Sequence, residues 1–506
     1  MSLRTKMRAG VFSWGIGNAA SRTLRFLAQY ALLWILAPSD FGLVVMTTAL
    51  MNVLQMVSDF GVAVAVIQKK DATPLYVSTA FWLNIAASLF ILAVCWVSAP
   101  WLAHFYGAPE ITQLVRITSL SFPVYALRTI PIAVMRRNMR FGQTALLDTI
   151  WNAISGVLMI LFAFLGAGYW SLVIPAMITG LVLAPVWYIC AQWRPSLMFG
   201  RAEFTELFHY AKHLVGAALL ALVLTNAGFV IAGHILGPDA AGLFNVAATY
   251  STVILINYAY LIANVSLSGF AARQEDPATL QRGFIRLYEI LGGTTLPIHV
   301  LGIALAPLIF RALIPAAYAS ALVSFQALLA LAALRCIAAH VAPFYNAINR
   351  AHVNLHFYLV STPLCLTAMY MTCRWAFDNH GMKIGLNALG IATAVSQGLS
   401  VIALLAVMRG IMGWRDTALV RSVVPYILAS IVAAAIAKLI EQGLTPLGLP
   451  ALVVLVIATA VGGATYVAIL YLAARGRLAM LVREALPVKL RERFVYAWFP
   501  ALRTNA

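Results

Sequence analysis

The sequence predicts an all-α, polytopic membrane protein with about 14 transmembrane helices. Of its 506 residues, 62% are hydrophobic and only 10% are charged. The mean hydropathy is +0.90, and the apolar residues gather into stretches long enough to cross a bilayer. A soluble domain carries about 45–50% apolar and roughly 25% charged residues. A chain this apolar cannot cover itself with polar surface, which excludes a soluble enzyme.

A spanning helix needs about 20 mainly apolar residues. Fourteen stretches meet that condition, near 11–36, 42–66, 76–100, 112–134, 143–165, 170–192, 212–236, 242–268, 284–310, 320–345, 355–376, 388–410, 419–441 and 450–473. Met1–Gly10 is basic, but the stretch after it is too long and too polar for a cleaved signal peptide, so it is expected to stay as the first helix. Cys95, Cys190, Cys336, Cys365 and Cys373 all lie in apolar stretches without a CxxC pair, and are expected to pack rather than bridge or bind metal.

Basic residues orient the spans. The N-terminus (Arg4, Lys6, Arg8) lies on one side, as do the loops with Lys69, Lys70, Arg136, Arg137, Arg140, Arg194, Arg201, Lys212, Arg273, Arg282, Arg350, Arg409, Arg415 and Arg421. The tail from Arg475 to Arg503 joins them, and the opposite loops hold only Arg311, Arg374 and Lys383 among the basic residues, together with the acidic Asp40, Glu110, Asp239, Asp378 and Glu441. The basic side is expected to be cytoplasmic and to hold both termini. A net charge of +18 is thereby mostly topology, and no nucleic-acid partner is expected.

The chain also repeats itself. Ala37-Pro38-Ser39-Asp40-Phe41-Gly42-Leu43 returns as Gly237-Pro238-Asp239-Ala240-Ala241-Gly242-Leu243, each in the outer turn after the first helix of a six-helix half. Six spans preserve orientation, so the halves are expected to be parallel repeats. The organisation that follows is an N-terminal six-helix lobe (1–192), an amphipathic cytoplasmic linker (193–213), a C-terminal six-helix lobe (214–410), two extra helices (411–473) and a basic cytoplasmic tail (474–506). In the linker Phe204, Leu207, Phe208 and Ala211 form an apolar stripe; in the tail Leu478, Leu481, Val482 and Ala485 do the same. Both are expected to lie on the inner leaflet.

Polar residues within spans carry the functional signal, because an ionisable group at mid-bilayer costs about 2.5–3.5 kcal/mol on insertion scales and so faces a partner or a wet cavity. Asn18, Arg22, Arg25 and Gln29 share one face of the first helix. The second helix carries Asn52, Gln55 and Asp59, the fifth Asp148, Asn152 and Ser155. Arg128 and Asp148 flank one inner loop at similar depth, where a structural ion pair and a substrate contact are equally open. Arg335 is the second-half candidate for an anion. Arg116 lies near an outer end and Arg286 and Glu289 near an inner one, positions suited to snorkelling and to an interfacial pair. Together these residues predict a cationic cavity between the halves, since the guanidinium fork suits phosphate and carboxylate oxygens. No Walker A sequence is present. His209/His213 and His352/His356 lack the glutamate of a zinc hydrolase motif. The outer loops are too short for a catalytic domain, so no catalytic residue and no metal are expected.

Asp40-Phe41-Gly42-Leu43, Ser58-Asp59-Phe60-Gly61-Val62, Ile67-Gln68-Lys69-Lys70-Asp71, Phe81-Trp82-Leu83-Asn84, Ile235-Leu236-Gly237-Pro238 with Gly242, and Gly269-Phe270-Ala271-Ala272 with Asp276 and Leu280 resemble the bacterial polysaccharide-transport flippases of Wzx type. The likeness is greatest to the colanic-acid-exporter-like branch and runs over about 1–415. That family shares a superfamily (MOP) with MATE transporters and peptidoglycan-precursor flippases. The resemblance implies two six-helix lobes forming a V. It implies a cargo of undecaprenyl-diphosphate-linked oligosaccharide repeat units, carried from the cytoplasmic to the periplasmic leaflet of the inner membrane for exopolysaccharide or O-antigen assembly. Arg22 and Arg25 would meet the diphosphate or acidic sugars, while helices thirteen and fourteen would shelter the lipid tail. Proton or sodium coupling, with Asp59 and Asp148 as carriers, follows by analogy; no other cofactor is expected. Membrane lipids and polysaccharide polymerase or export machinery are the expected partners of a monomer. A MATE-type small-molecule exporter and a membrane polysaccharide polymerase or ligase are the alternatives.

Overall fold

In hydrocarbon a backbone amide has no water to bond, so each crossing segment must satisfy itself as a helix. The computed structural model describes residues 21, 23–59, 61–69, 71–252, 270, 276–348, 350–414 and 418–485, and among them every regular element is helical. The chain divides into two units, Met1–Asn245 and Val246–Ala506.

The first unit begins with α1 (23–32), followed by α2 (Pro38–Asp59), α3 (Val62–Gln68), α4 (Pro74–Tyr106), α5 (Glu110–Ser119), α6 (Ser121–Arg137), α7 (Phe141–Phe164), α8 (Trp170–Ala191) and α9 (Arg201–Ile231). A π-helical turn over Ala232–Leu236 leads into α10 (Pro238–Thr252), which crosses the boundary between units. The second unit continues with α11 (Pro277–Ala304), α12 (Ala306–Leu313), α13 (Leu322–Ala338), α14 (Val341–Ala347), α15 (Ala351–His380), α16 (Met382–Met412), α17 (Ala418–Leu444), α18 (Ala451–Ala473) and α19 (Arg475–Ala485). Asp276 starts α11 by accepting from the Thr279 N–H at 3.0 Å, and its bonds to Thr279 hold its carboxyl below the usual range.

Among the described residues eleven helical segments are long and apolar enough to span a membrane. Of the fourteen expected spans, those near 11–36 and 242–268 fall partly outside the described residues. The one near 355–376 lies in α15, whose 30 residues include His352, Asn354, His356, Arg374 and Asp378. Large apolar side chains such as Phe90 and Val97 point away from the protein, the latter 83% exposed, as lipid-facing residues do. The expected span 112–134 is broken between α5 and α6 at Leu120. Pro123 lacks the N–H that would bond Ser119 one turn earlier, so the ladder is interrupted there. All five cysteines are free and none is exposed.

Three segments differ from expectation. The linker stripe is not a separate surface helix: α9 runs unbroken from Arg201 into the span, and Leu207 is buried against Val66, Tyr76 and Ile130. Phe208 and Ala211 have side chains outside the described set. In α19, Leu478, Ala479 and Leu481 do not face the leaflet; they are buried against Val423, Tyr426 and Leu470. Arg477 secures that docking by donating to the Ser422 carbonyl at 3.1 Å. Glu441, expected in an outer loop, sits inside α17 with a side chain 4% exposed, paired to Arg311 at 2.8 Å and Lys438 at 2.7 Å.

The two repeated turns meet within the first unit. Pro38 and Pro238 each open a helix, and a Cβ placed on Gly42 would lie 1.7 Å from the Pro238 carbonyl oxygen, while one on Gly242 would lie 1.8 Å from that of Pro38. Backbone meets backbone reciprocally, and no side chain fits between them.

Three stability predictions come from this packing. Gly42→Val or Gly242→Val forces the turns apart and is expected to cost about 3 kcal/mol, read as a lower Tm of the detergent-solubilised protein. Gly463→Ala, in α18 with nothing within 4 Å of the new methyl, should be neutral or stabilising. Glu441→Ala removes both ion pairs and is expected to cost about 1–3 kcal/mol, kept in the lower half of that range because the side chain of Arg311 is 54% exposed and can reach water.

Candidate functional site

The polar stripes predicted on the first, second and fifth spans converge within the first unit. Arg25 on α1 donates from Nε to Oδ1 of Asn152 on α7 at 2.9 Å. The Asn152 amide is fixed in turn, its Nδ2 donating to Ser21 Oγ at 2.6 Å and to the Asp148 carbonyl at 2.7 Å. Four residues separate Asp148 from Asn152, one turn of helix, so that amide faces α1 in a single orientation. Among the described residues Arg25 forms no ion pair within bonding distance and its side chain is exposed, so it is oriented by an amide, with the Asp148 carboxylate in its field but not bonded to it.

Arg128 on α6 provides the second cation. Its guanidinium carbon stands 3.8 Å above the Trp151 ring and 5.0 Å from that of Tyr125, two rings stacked with their centroids 6.0 Å apart. A guanidinium so placed gains about 1–2 kcal/mol. Its pairing with Asp148 is loose, Nη1 to Oδ1 at 3.9 Å, with side chains 26% and 34% exposed. Of the two roles left open by the sequence, a locked structural bridge fits this geometry poorly, because the aromatic platform does the holding. Asp59 lies within the electrostatic reach of the same guanidinium and close to the fully buried Asn84; Gln55 donates to it at 2.8 Å.

The other predicted residues are placed as follows. Asn52, two turns from Asp59 on α2, donates to Asn226 of α9 at 3.4 Å. Gln29 is half-buried on α1. Asn18 and Arg22 lie outside the described residues. Arg335 belongs to the second unit, where α13 sets it to donate to Gln397 of α16, whose amide contacts Met369 Sδ at 3.8 Å. Trp151, Tyr125, Ser21, Asn226 and Gln397 were not anticipated. The two aromatics had a local signal, since Tyr125 and Arg128 are three apart on one helix and Trp151 directly precedes Asn152; the others are partners across the fold.

Chemically, this arrangement presents two guanidiniums and two carboxylates on membrane-spanning helices, with aromatic faces beside one cation. It can take an anionic group at Arg25 and a flat or sugar-like ring near Trp151, and its carboxylates offer oxygen donors to a small cation. Among the described residues no cluster of three or more His, Cys, Asp or Glu is arranged to hold a metal.

Comparison with known proteins places the chain. It is 26% identical over 230 residues to the succinoglycan biosynthesis transport protein ExoT of Rhizobium meliloti, covering 46% of this chain and 47% of that protein. To the lipopolysaccharide biosynthesis protein WzxC of Escherichia coli it is 24% identical over 304 residues, 59% of this chain and 61% of that protein. The chain thus spans about half to three-fifths of the length of these relatives. Its fold matches the lipid II flippase MurJ in an inward closed conformation with a TM-score of 0.69 at 14% identity, over 91% of this chain and 98% of that one. The chain is an all-helical, multi-pass membrane protein of that architecture. Residues 32–324, more than half of it, match the family model described as polysaccharide biosynthesis protein, and the chain belongs to that family.

Proposed function

We propose that this protein is a flippase for undecaprenyl-diphosphate-linked oligosaccharide repeat units, carrying them from the cytoplasmic to the periplasmic leaflet of a bacterial inner membrane for exopolysaccharide or O-antigen assembly. The observation that carries the proposal is Arg25, held by the neutral amide of Asn152 and left with its charge unspent on a membrane-embedded face. A phosphate is the ligand that such a fork binds best, and the Trp151 and Tyr125 rings next to Arg128 suit the faces of sugars. The names of ExoT and WzxC support a polysaccharide cargo. Both termini are placed in the cytoplasm by the distribution of basic residues. The protein is proposed to act as a transporter rather than an enzyme, as a monomer, beside a polymerase or export apparatus. Proton or sodium coupling is assigned to Asp59 and Asp148, which share the field of Arg128.

A MATE-type exporter of small cations fits less well, because an uncompensated guanidinium repels a cationic cargo. A polymerase or ligase would release a longer glycan instead of moving an unchanged repeat unit across the membrane.

Deleting the gene is expected to trap lipid-linked repeat units on the cytoplasmic leaflet, measured by extraction and leaflet-specific labelling. Unchanged leaflet distribution in a strain without a second flippase refutes the proposal. In that strain Arg25→Glu is expected to lower transport about 10- to 100-fold, the equivalent of one charge-assisted hydrogen bond of about 1.5–3 kcal/mol. Arg25→Lys should retain part of the activity, since the charge stays and the fork is lost. Asn152→Asp tests the charge argument separately: it keeps the shape but sets a carboxylate against Arg25. Transport should fall with little change in Tm; wild-type transport by that variant would remove Arg25 from the substrate path.

A further inference from the structure

The segment joining α8 to α9 is fastened to the start of α4 at three points. Ser78 Oγ and Trp82 Nε1 both donate to the Ser196 carbonyl, at 2.5 and 2.8 Å, and the Gly200 N–H donates to Thr79 Oγ1 at 2.9 Å. Fixed in this way, the loop turns Leu197, Met198 and Phe199 outward, with Leu197 92% exposed. Three consecutive apolar side chains on a pinned loop, flanked by Arg194 and Arg201, form the pattern of a chain that meets lipid headgroups and dips below them.

Beside this loop lies an open groove of about 590 Å³ with Trp82, Ile85, Leu127 and Tyr188 in its wall and Arg194 among its lining residues. Trp193 stacks on Tyr188 with centroids 6.1 Å apart, and the Tyr188 hydroxyl donates to the Leu127 carbonyl at 2.8 Å, so the wall is rigid. Among the described residues Arg194 makes no hydrogen bond or ion pair. Arg201 is not among the groove's lining residues, and Arg140 beside this turn is committed, donating to the Cys190 carbonyl at 3.0 Å and to Gln192 Oε1 at 2.9 Å. The groove therefore offers an apolar, aromatic wall and a single unspent cation.

We propose that this groove is a binding site for a membrane phospholipid with one anionic phosphodiester, the phosphate on Arg194 and the upper acyl carbons against Trp82, Ile85 and Leu127. Leu197, Met198 and Phe199 insert among neighbouring chains. One guanidinium matches one phosphate, whereas a diphosphate carrier calls for further cations that the groove lacks. This assignment rests on the membrane-spanning architecture and is independent of the cargo proposed above. Because the loop opens α9, a bound lipid fixes the junction between α8 and that helix.

The test is photo-crosslinking of the full-length protein in phosphatidylcholine nanodiscs containing a photoactivatable phosphatidylglycerol. Wild type is expected to carry the label on the 193–201 segment and on the α4 residues near Trp82. Arg194→Gln should reduce labelling there about ten-fold with unchanged Tm, and Leu197→Ser/Phe199→Ser should reduce it too. Arg282→Gln, on the second unit, should leave it intact, and excess glycerol phosphate should not compete. Four results would overturn the assignment: undiminished labelling of Arg194→Gln, equal labelling by a phosphatidylcholine probe, displacement by free glycerol phosphate, or displacement by undecaprenyl diphosphate at lower concentration than by phosphatidylglycerol. The last would hand the groove to the cargo.

Discussion

A backbone amide in hydrocarbon has no water to turn to, and leaving it unpaired costs several kcal/mol. The helices answer that demand one residue at a time, and what varies is how the structure deals with places where the ladder must stop. The turns at Pro38 and Pro238 show one solution. Each proline opens a helix where its missing N–H costs nothing, and each turn lays its carbonyl against the glycine of the other. Side chains are excluded from that contact, so the two turns meet there main chain to main chain. The same demand governs side chains. Glu441 is almost wholly buried, and it is tolerable there because Arg311 and Lys438 occupy both of its oxygens.

The fold was largely legible because its signals are local. Apolar stretches, basic loops and the repeated Pro-to-Gly turns need no knowledge of what lies across the chain. The departures share one cause. An apolar stripe such as Leu478, Leu481 and Val482 states that one face must be covered, but not by what. A lipid leaflet and a neighbouring helix satisfy the stripe equally in sequence terms, and the structure chose Val423, Tyr426 and Leu470. The linker stripe went the same way, with Leu207 buried on the first unit's own core. Glu441 was misplaced because three-residue spacing to Lys438 is visible in sequence, whereas Arg311 lies 130 residues away.

The candidate site divides along the same line. Polar residues at helical spacing picked out faces of α1, α2 and α7 that approach one another in the first unit, since a polar stripe within a span is rarely idle. Their partners were not readable: Arg25 finds Asn152 across 127 positions, and Asn52 finds Asn226 across 174. Spacing left Arg128 and Asp148 open between an ion pair and a substrate contact; the pair is present but loose, and the Trp151 ring stands as close to the guanidinium as the carboxylate does. Aromatic support leaves no trace in a charge count, and here it adds to the field of Asp148 and Asp59 in holding the cation.

The proposed function turns on the choice of acceptor for Arg25. A carboxylate at position 152 would bind the guanidinium more strongly, but the pair would present no net charge to a third group, and an incoming phosphate would have to displace it. The amide fixes the guanidinium through one neutral hydrogen bond and leaves the charge whole. Arg335 in the second unit likewise donates to an amide oxygen, that of Gln397. Asn152 is itself held by Ser21 and the Asp148 carbonyl, so the orientation of Arg25 is set before any ligand arrives. A cation that is oriented in advance loses little entropy on binding. Under the proposed function an anion arriving there has only to shed water, and a low surrounding dielectric strengthens the attraction it then feels.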